Sequence, residues 1–195
     1  MRLLLALAIL VLSPSLAFAH ADASHAAGFF HGFEHPLGGL DHLLAMVAVG
    51  VFAYVLGGRA LWLVPLSFVG MMVVGFGLGV AQVDVPFVEL GIALSSIVIG
   101  AAAAMGRPMP LAGATALVGV FAIFHGQAHG AEMPADASGL NYAAGFIVAT
   151  SLLHLAGLAG TFGVARLVGK YGRMVAQIAG GAFALAGLGA LGGWL

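Results

Sequence analysis

Cysteine is absent from this chain, which removes disulfides, thiolate zinc sites and cysteine nucleophiles from consideration. Charge is almost as scarce. Only 7% of the 195 residues are Asp, Glu, Lys or Arg, whereas soluble domains carry roughly 25%. A net charge of −1 leaves no basic surface of the kind nucleic-acid binding demands. No G-x-x-x-x-G-K-[ST] sequence occurs, since Gly169-Lys170-Tyr171 lacks the rest of that pattern, so ATP hydrolysis by a P-loop is excluded. What fills the chain is hydrocarbon: 62% of its residues are hydrophobic, a composition suited to lipid.

Against that background histidine stands out. The chain has eight histidines and six Lys plus Arg, and imidazole is both the commonest transition-metal ligand and a proton carrier near neutral pH. At the N-terminus, Met1-Arg2 precedes the short apolar run 3-LLLALAILVL-12, then Ser13-Pro14 and Ala17-Phe18-Ala19. A positive start, a short hydrophobic core and an A-x-A end predict a cleaved signal peptide over 1–19, with a mature chain from His20. A polar, His-rich outer segment follows over 20–36. The remainder, 37–195, reads as an all-α transmembrane domain of six hydrophobic spans: about 37–57, 61–81, 87–105, 109–128, 141–165 and 174–194. Each is near the roughly 20 residues a bilayer requires.

Charge placement orients the spans. With the mature N-terminus outside, the loops at Arg59, at Arg107 and at 166-RLVGKYGR-173 fall inside, and they hold every Lys and Arg of the mature chain. The outer connections hold Asp84, Glu132 and Asp136 and no basic residue. This is the positive-inside pattern. It predicts that both mature termini lie on the outer, periplasmic side. Glycine clusters such as 75-GFGLG-79 and 187-GLGALGG-193 predict close helix–helix packing.

Polar groups then converge on the outer half. In 35-HPLGGLDHLLAM-46, Pro36 suits a first helical turn, and His42 and Met46 lie about 9 Å and 15 Å deeper. On a continuous helix His42 and Met46 fall within about 20° of the direction of His35, with Asp41 adjacent as ligand or orienting acceptor. The fourth span ends 124-FHGQAHGAE-132, placing His125 and His129 on one face with Glu132 three residues further. The general-base Glu of H-E-x-x-H is missing, so this is no zinc-protease helix. No enzymatic machinery is expected. Glu89 falls in the outer turn of the third span, and His154 about 20 Å down the fifth.

Plainer readings exist for each group. Glu89 suits a helix N-terminal dipole, His154 suits interhelical hydrogen-bond glue near Thr150 and Ser151, and His125 and His129 suit a membrane interface. His20, His25 and His31 read as solvated. Yet ionisable groups within spans are costly and mark pathways or sites, and nearly all of these share one side. Imidazole and carboxylate without thiolate suit a borderline divalent cation such as Ni²⁺, Co²⁺ or Zn²⁺. A proton relay is the other chemistry these groups support.

Two motifs carry a resemblance. His-x5-Asp-His occurs as His35, Asp41 and His42, and Phe-His-Gly-x-Ala/Val-His-Gly-x-Glu occurs as Phe124, His125, Gly126, Ala128, His129, Gly130 and Glu132. With the leader and six-span layout, the sequence resembles the HupE/UreJ family of membrane proteins, associated with nickel or cobalt uptake for hydrogenase and urease maturation. The resemblance implies a secondary permease for Ni²⁺, or Co²⁺, with no permanently bound cofactor. Its metal path would use His35, Asp41, His42, Glu89, His125, His129, Glu132 and His154. Its partners would be the cation, the lipid bilayer and metallochaperone or metalloenzyme maturation proteins. Two other functions stay open from the residues: a non-transporting metal-binding accessory protein, and a redox subunit holding haem between His42 and His154.

Overall fold

A computed structural model describes residues 23–135 and 137–194, with side-chain surroundings from Gly28 onward. The predicted signal peptide, His20 and Asp136 lie outside the described residues, as does the side chain of His25. The described chain forms helices α1 (Ala23–Gly38), α2 (Leu40–Leu56), α3 (Ala60–Val80), α4 (Val88–Met105), α5 (Leu111–Ala131) and α6 (Gly139–Val168). A 3-10 turn (Gly169–Tyr171) then leads into α7 (Gly172–Leu191). No strand occurs among the described residues. Helix is what such a composition dictates, because a backbone in lipid must satisfy its polar groups internally. Breaks fall where the chain turns left-handed, as at Gly57-Gly58 (φ 68° and 53°) and Gly106 (φ 58°), conformations that glycine adopts without a Cβ clash.

Four helical stretches are long and apolar enough to cross a membrane: Ala60–Val80, Val88–Met105, Leu111–Ala131 and the stretch Gly139–Leu191. A fifth is the bent pair Gly28–Gly38 and Leu40–Leu56, whose halves meet at 84°. Within the long last stretch the chain reverses. Cβ positions at Gly180 and Gly187 of α7 abut Gly100 and Ser96 of α4 in turn, and the Arg173 guanidinium donates to the Gly106 carbonyl at 2.7 Å. Helix α7 therefore runs antiparallel to α4.

The start of the first span departs from expectation. Pro36 lies inside α1, in its last turn, and α2 begins at Leu40 after an extended residue, Gly39 (φ −108°, ψ 126°). The Gly38-Gly39 pair, a poor helix former, takes the bend. A Cβ on Gly39 would stand 2.8 Å from Asp41 Oδ1, so a side chain there would displace that carboxylate. His35 consequently belongs to a different helix from His42 and Met46, and the single stripe expected of an unbroken helix does not form. Helix α1, in the segment expected only to be polar and His-rich, packs on the first turns of α6, where Gly32 abuts the Tyr142 backbone and Gly145 abuts Phe29.

The tightest interface joins α3 to α5. Gly75 and Gly79 of α3 press on the backbones of Ile123 and Gln127, while Gly126 and Gly130 of α5 press on those of Met72 and Phe76. Both helices thus carry glycines four apart, interleaved, which allows close backbone approach where no hydrophobic force drives association. Large apolar side chains such as Trp62, Leu66, Val120, Leu155 and Ile178 face outward, while Ser95, Ser96, His125, His129, Thr150 and His154 are buried. An apolar exterior around a polar interior suits a hydrocarbon surround. Charges segregate to the two ends: Arg173 meets the α4 C-terminus, whereas Asp41, Glu89 and Glu132 share a cavity at the other.

Candidate metal-ion path

Three helices deliver four imidazoles to one place. Gly126 and Gly130 lock α5 onto α3, and that contact fixes the depth and rotation at which the intervening turn presents His125 and His129. Both are fully buried, at 0% exposure. The start of α2 adds His42, whose ring centroid lies 4.6 Å from His125 and 5.4 Å from His129. The end of α1 adds His35, 4.8 Å from His129 and 6.3 Å from His42. The 84° corner between α1 and α2 is what turns His35 back toward α5. The two motifs, distant in sequence, meet through their rings.

Neighbouring groups orient these rings. Asp41 Oδ1 accepts the His42 backbone N–H at 2.8 Å and lies 3.2 Å from His42 Nδ1. His35 Nε2 pairs with Glu132 Oε2 at 3.2 Å. His125 Nε2 stands 3.0 Å from the hydroxyl of Ser95, and His129 stacks nearly parallel on Phe146, 4.9 Å and 8° away. Several buried nitrogens nonetheless have no hydrogen-bond partner among the described residues: His42 Nε2, His125 Nδ1, and both ring nitrogens of His129 and His154. Unpaired polar atoms in a protein interior are rare and costly. Here they are concentrated on groups whose lone pairs bind metals.

Above the rings opens a cavity of about 450 Å³. Glu34, Asp41, Glu89 and Glu132 line it together with His31, His35 and His42. Carboxylates gathered in a concave, low-dielectric mouth raise the local concentration of cations. Glu89 is exposed there, in the first turn of α4, so the dipole reading and the vestibule reading describe the same placement. No three His, Asp or Glu side chains among the described residues are already arranged to hold one metal ion. The cluster is a set of neighbouring donors, and a bound cation would require the side chains to adjust.

His154 lies apart. It is 2% exposed and packs edge-on against Phe68 at 5.1 Å, with Phe68 in turn 5.5 Å from His125. The alternative reading as hydrogen-bond glue has no bond behind it: neither ring nitrogen has a partner among the described residues, and the Thr150 hydroxyl turns instead to Met72 sulfur at 3.7 Å. Met46 is wholly buried in the core. Sequence reasoning missed Phe68, Ser95 and Glu34. Phe68 is one apolar residue among many and carries no signal. The Ser95-Ser96 pair inside an otherwise apolar helix was the one visible clue.

A family described as HupE / UreJ protein matches residues 7–190. Protein HupE of Rhizobium leguminosarum bv. viciae is 46% identical over 175 residues, covering 89% of this chain and 89% of that one. No solved structure matches significantly. With the family matched over nearly its whole length and both histidine motifs joined in one cluster, the chain belongs to the HupE / UreJ family.

Proposed function

We propose that this chain is a secondary permease carrying Ni²⁺, with Co²⁺ as the alternative cargo, from periplasm to cytoplasm across the bacterial inner membrane. It would supply metal for hydrogenase or urease maturation. The observation that carries the proposal is the meeting of His35, His42, His125 and His129 beneath an acidic mouth. In the proposed topology α2 to α7 form six spans. The end bearing Asp41, Glu89 and Glu132 faces outward, and the end bearing Arg59, Arg107 and Arg173 faces inward.

Transport then follows as ligand exchange. Carboxylates of the mouth collect the hydrated cation and strip part of its water. His35 with Glu132, and His42 with Asp41, offer the first imidazoles. His125 and His129 take the ion into the buried level, and His154, beyond Phe68, receives it for the inward step. Borderline divalent ions favour this nitrogen-rich set over Mg²⁺ or Ca²⁺, which require oxygen ligands.

The test is metal-resolved flux. Purified protein in liposomes should admit Ni²⁺ or Co²⁺, and His42→Ala should abolish most of it. Binding without flux, or flux indifferent to His42, would refute the proposal.

A further inference from the structure

Ser95 is not among the groups assigned above to collect or pass the ion, yet its hydroxyl makes two contacts. It is wholly buried. Its Oγ lies 2.5 Å from the Ile92 carbonyl oxygen, one turn back on α4, and 3.0 Å from His125 Nε2. A carbonyl only accepts, and a serine hydroxyl has one proton to donate. With that proton directed to Ile92, the remaining Oγ lone pair faces His125, so the imidazole must supply the hydrogen from Nε2.

The opposite tautomer fails twice. A proton on Nδ1 would leave the Nε2 lone pair facing the Ser95 lone pair. It would also strand an N–H at Nδ1, which is buried with no partner, at a cost comparable to a lost hydrogen bond. Rotating the Ser95 proton onto Nε2 relieves the first fault and leaves the second. Only the Nε2–H form satisfies every donor.

We propose that Ser95 is a positioning residue that holds neutral His125 as its Nε2–H tautomer, so that Nδ1 is the nitrogen presented to a divalent cation. The proposal rests on reading His125 as a cation ligand. Its neighbour is set the other way. The Asp41 carboxylate accepts from His42 Nδ1 at 3.2 Å, leaving His42 Nε2 bare and unpartnered. Two perpendicular rings, 4.6 Å apart, thus offer different nitrogens, each fixed by a hydrogen bond on its far atom. Such outer partners set both tautomer and ring orientation at metal sites.

Nitrogen-15 NMR of the full chain in nanodiscs, histidine-labelled and metal-free, reads the tautomer directly, with the His125 signal assigned by its loss in His125→Asn. The expected spectrum shows a protonated Nε2 and an unprotonated Nδ1. Ser95→Thr should keep that pattern. Ser95→Ala leaves both His125 nitrogens without a partner, so it should replace the single Nε2–H signal by a mixture of tautomers and raise the Ni²⁺ concentration for half-maximal uptake by about tenfold, with Ser95→Thr restoring both. An Nδ1–H signal in the unmodified protein overturns the proposal, as does a Ser95→Ala spectrum identical to it. If Ser95→Ala does not fold, the spectra of the unmodified protein and of Ser95→Thr still decide. Absence of metal flux with the expected tautomer would defeat the permease reading while leaving the Ser95–His125 bond as described.

Discussion

His42 and His125 face each other at 4.6 Å between ring centroids and 88° between ring planes, although one opens α2 and the other lies in the last turns of α5. Each keeps one ring nitrogen free of any hydrogen bond. If both bind the cation during transit, they act as a unit. His42→Ala and His125→Ala should each lower nickel uptake by more than about tenfold, and the double variant should lose far less than the product of the two, as for coupled residues. Uptake of radioactive nickel by cells expressing equal amounts of each protein reads this out; strictly multiplicative losses would place the two rings in independent steps.

Asp41 acts on His42 through two contacts, one to the backbone N–H and one to Nδ1. Asp41→Ala removes both and should weaken metal affinity about 10–100-fold, the usual consequence of losing an outer partner of a ligating histidine. Asp41→Asn keeps an acceptor for the backbone N–H and should lose less. Isothermal titration of nickel into the purified variants would rank them, and equal losses would show that the charge alone matters.

Glu34 lines the mouth beside His31, His35 and His42. Its contribution should be long-range attraction, which salt screens. Glu34→Gln should therefore raise the nickel concentration for half-maximal uptake a few-fold at low ionic strength and have little effect near 1 M, where the Debye length falls to about 3 Å. A salt-independent loss would instead make Glu34 a direct ligand.

The glycines of the second motif support the site from behind. A Cβ at Gly126 would meet the Met72 backbone, whereas one at Gly77, within 75-GFGLG-79, meets nothing within 4 Å. Gly126→Ala should destabilise the protein by about 1–3 kcal/mol through overpacking. Gly77→Ala should be neutral or mildly stabilising, since alanine is the better helix former by about 1 kcal/mol. Thermal unfolding in detergent would compare them directly. Matching midpoints would mean that the α3–α5 contact is looser than described.

How much of this was legible beforehand varies by element. Helices α3, α4 and α5 follow from long apolar runs ended by Gly, Pro and charge, and they lie close to the predicted 61–81, 87–105 and 109–128. The entry to α2 was misread because Pro36 is sterically welcome in a first helical turn. Nothing local announces that the chain continues α1 through it and bends at Gly39. That error moved His35 off the stripe with His42, yet both still reached the cluster, because the corner redirects α1 toward α5. Four of the expected donors, His35, His42, His125 and His129, come together, with Asp41, Glu89 and Glu132 in the mouth beside them. The separation of His154 by Phe68 was not legible, since depth along one helix does not reveal which ring a neighbouring helix inserts.

The central claim is that a divalent cation crosses the membrane through the His42–His125 cluster. Nickel entry into proteoliposomes containing the purified chain, measured beside His42→Ala and His125→Ala protein of equal incorporation, tests it most directly. The account predicts saturable Ni²⁺ or Co²⁺ entry that both substitutions suppress by at least about tenfold. Entry at the same rate in all three preparations, or none in any, would contradict it.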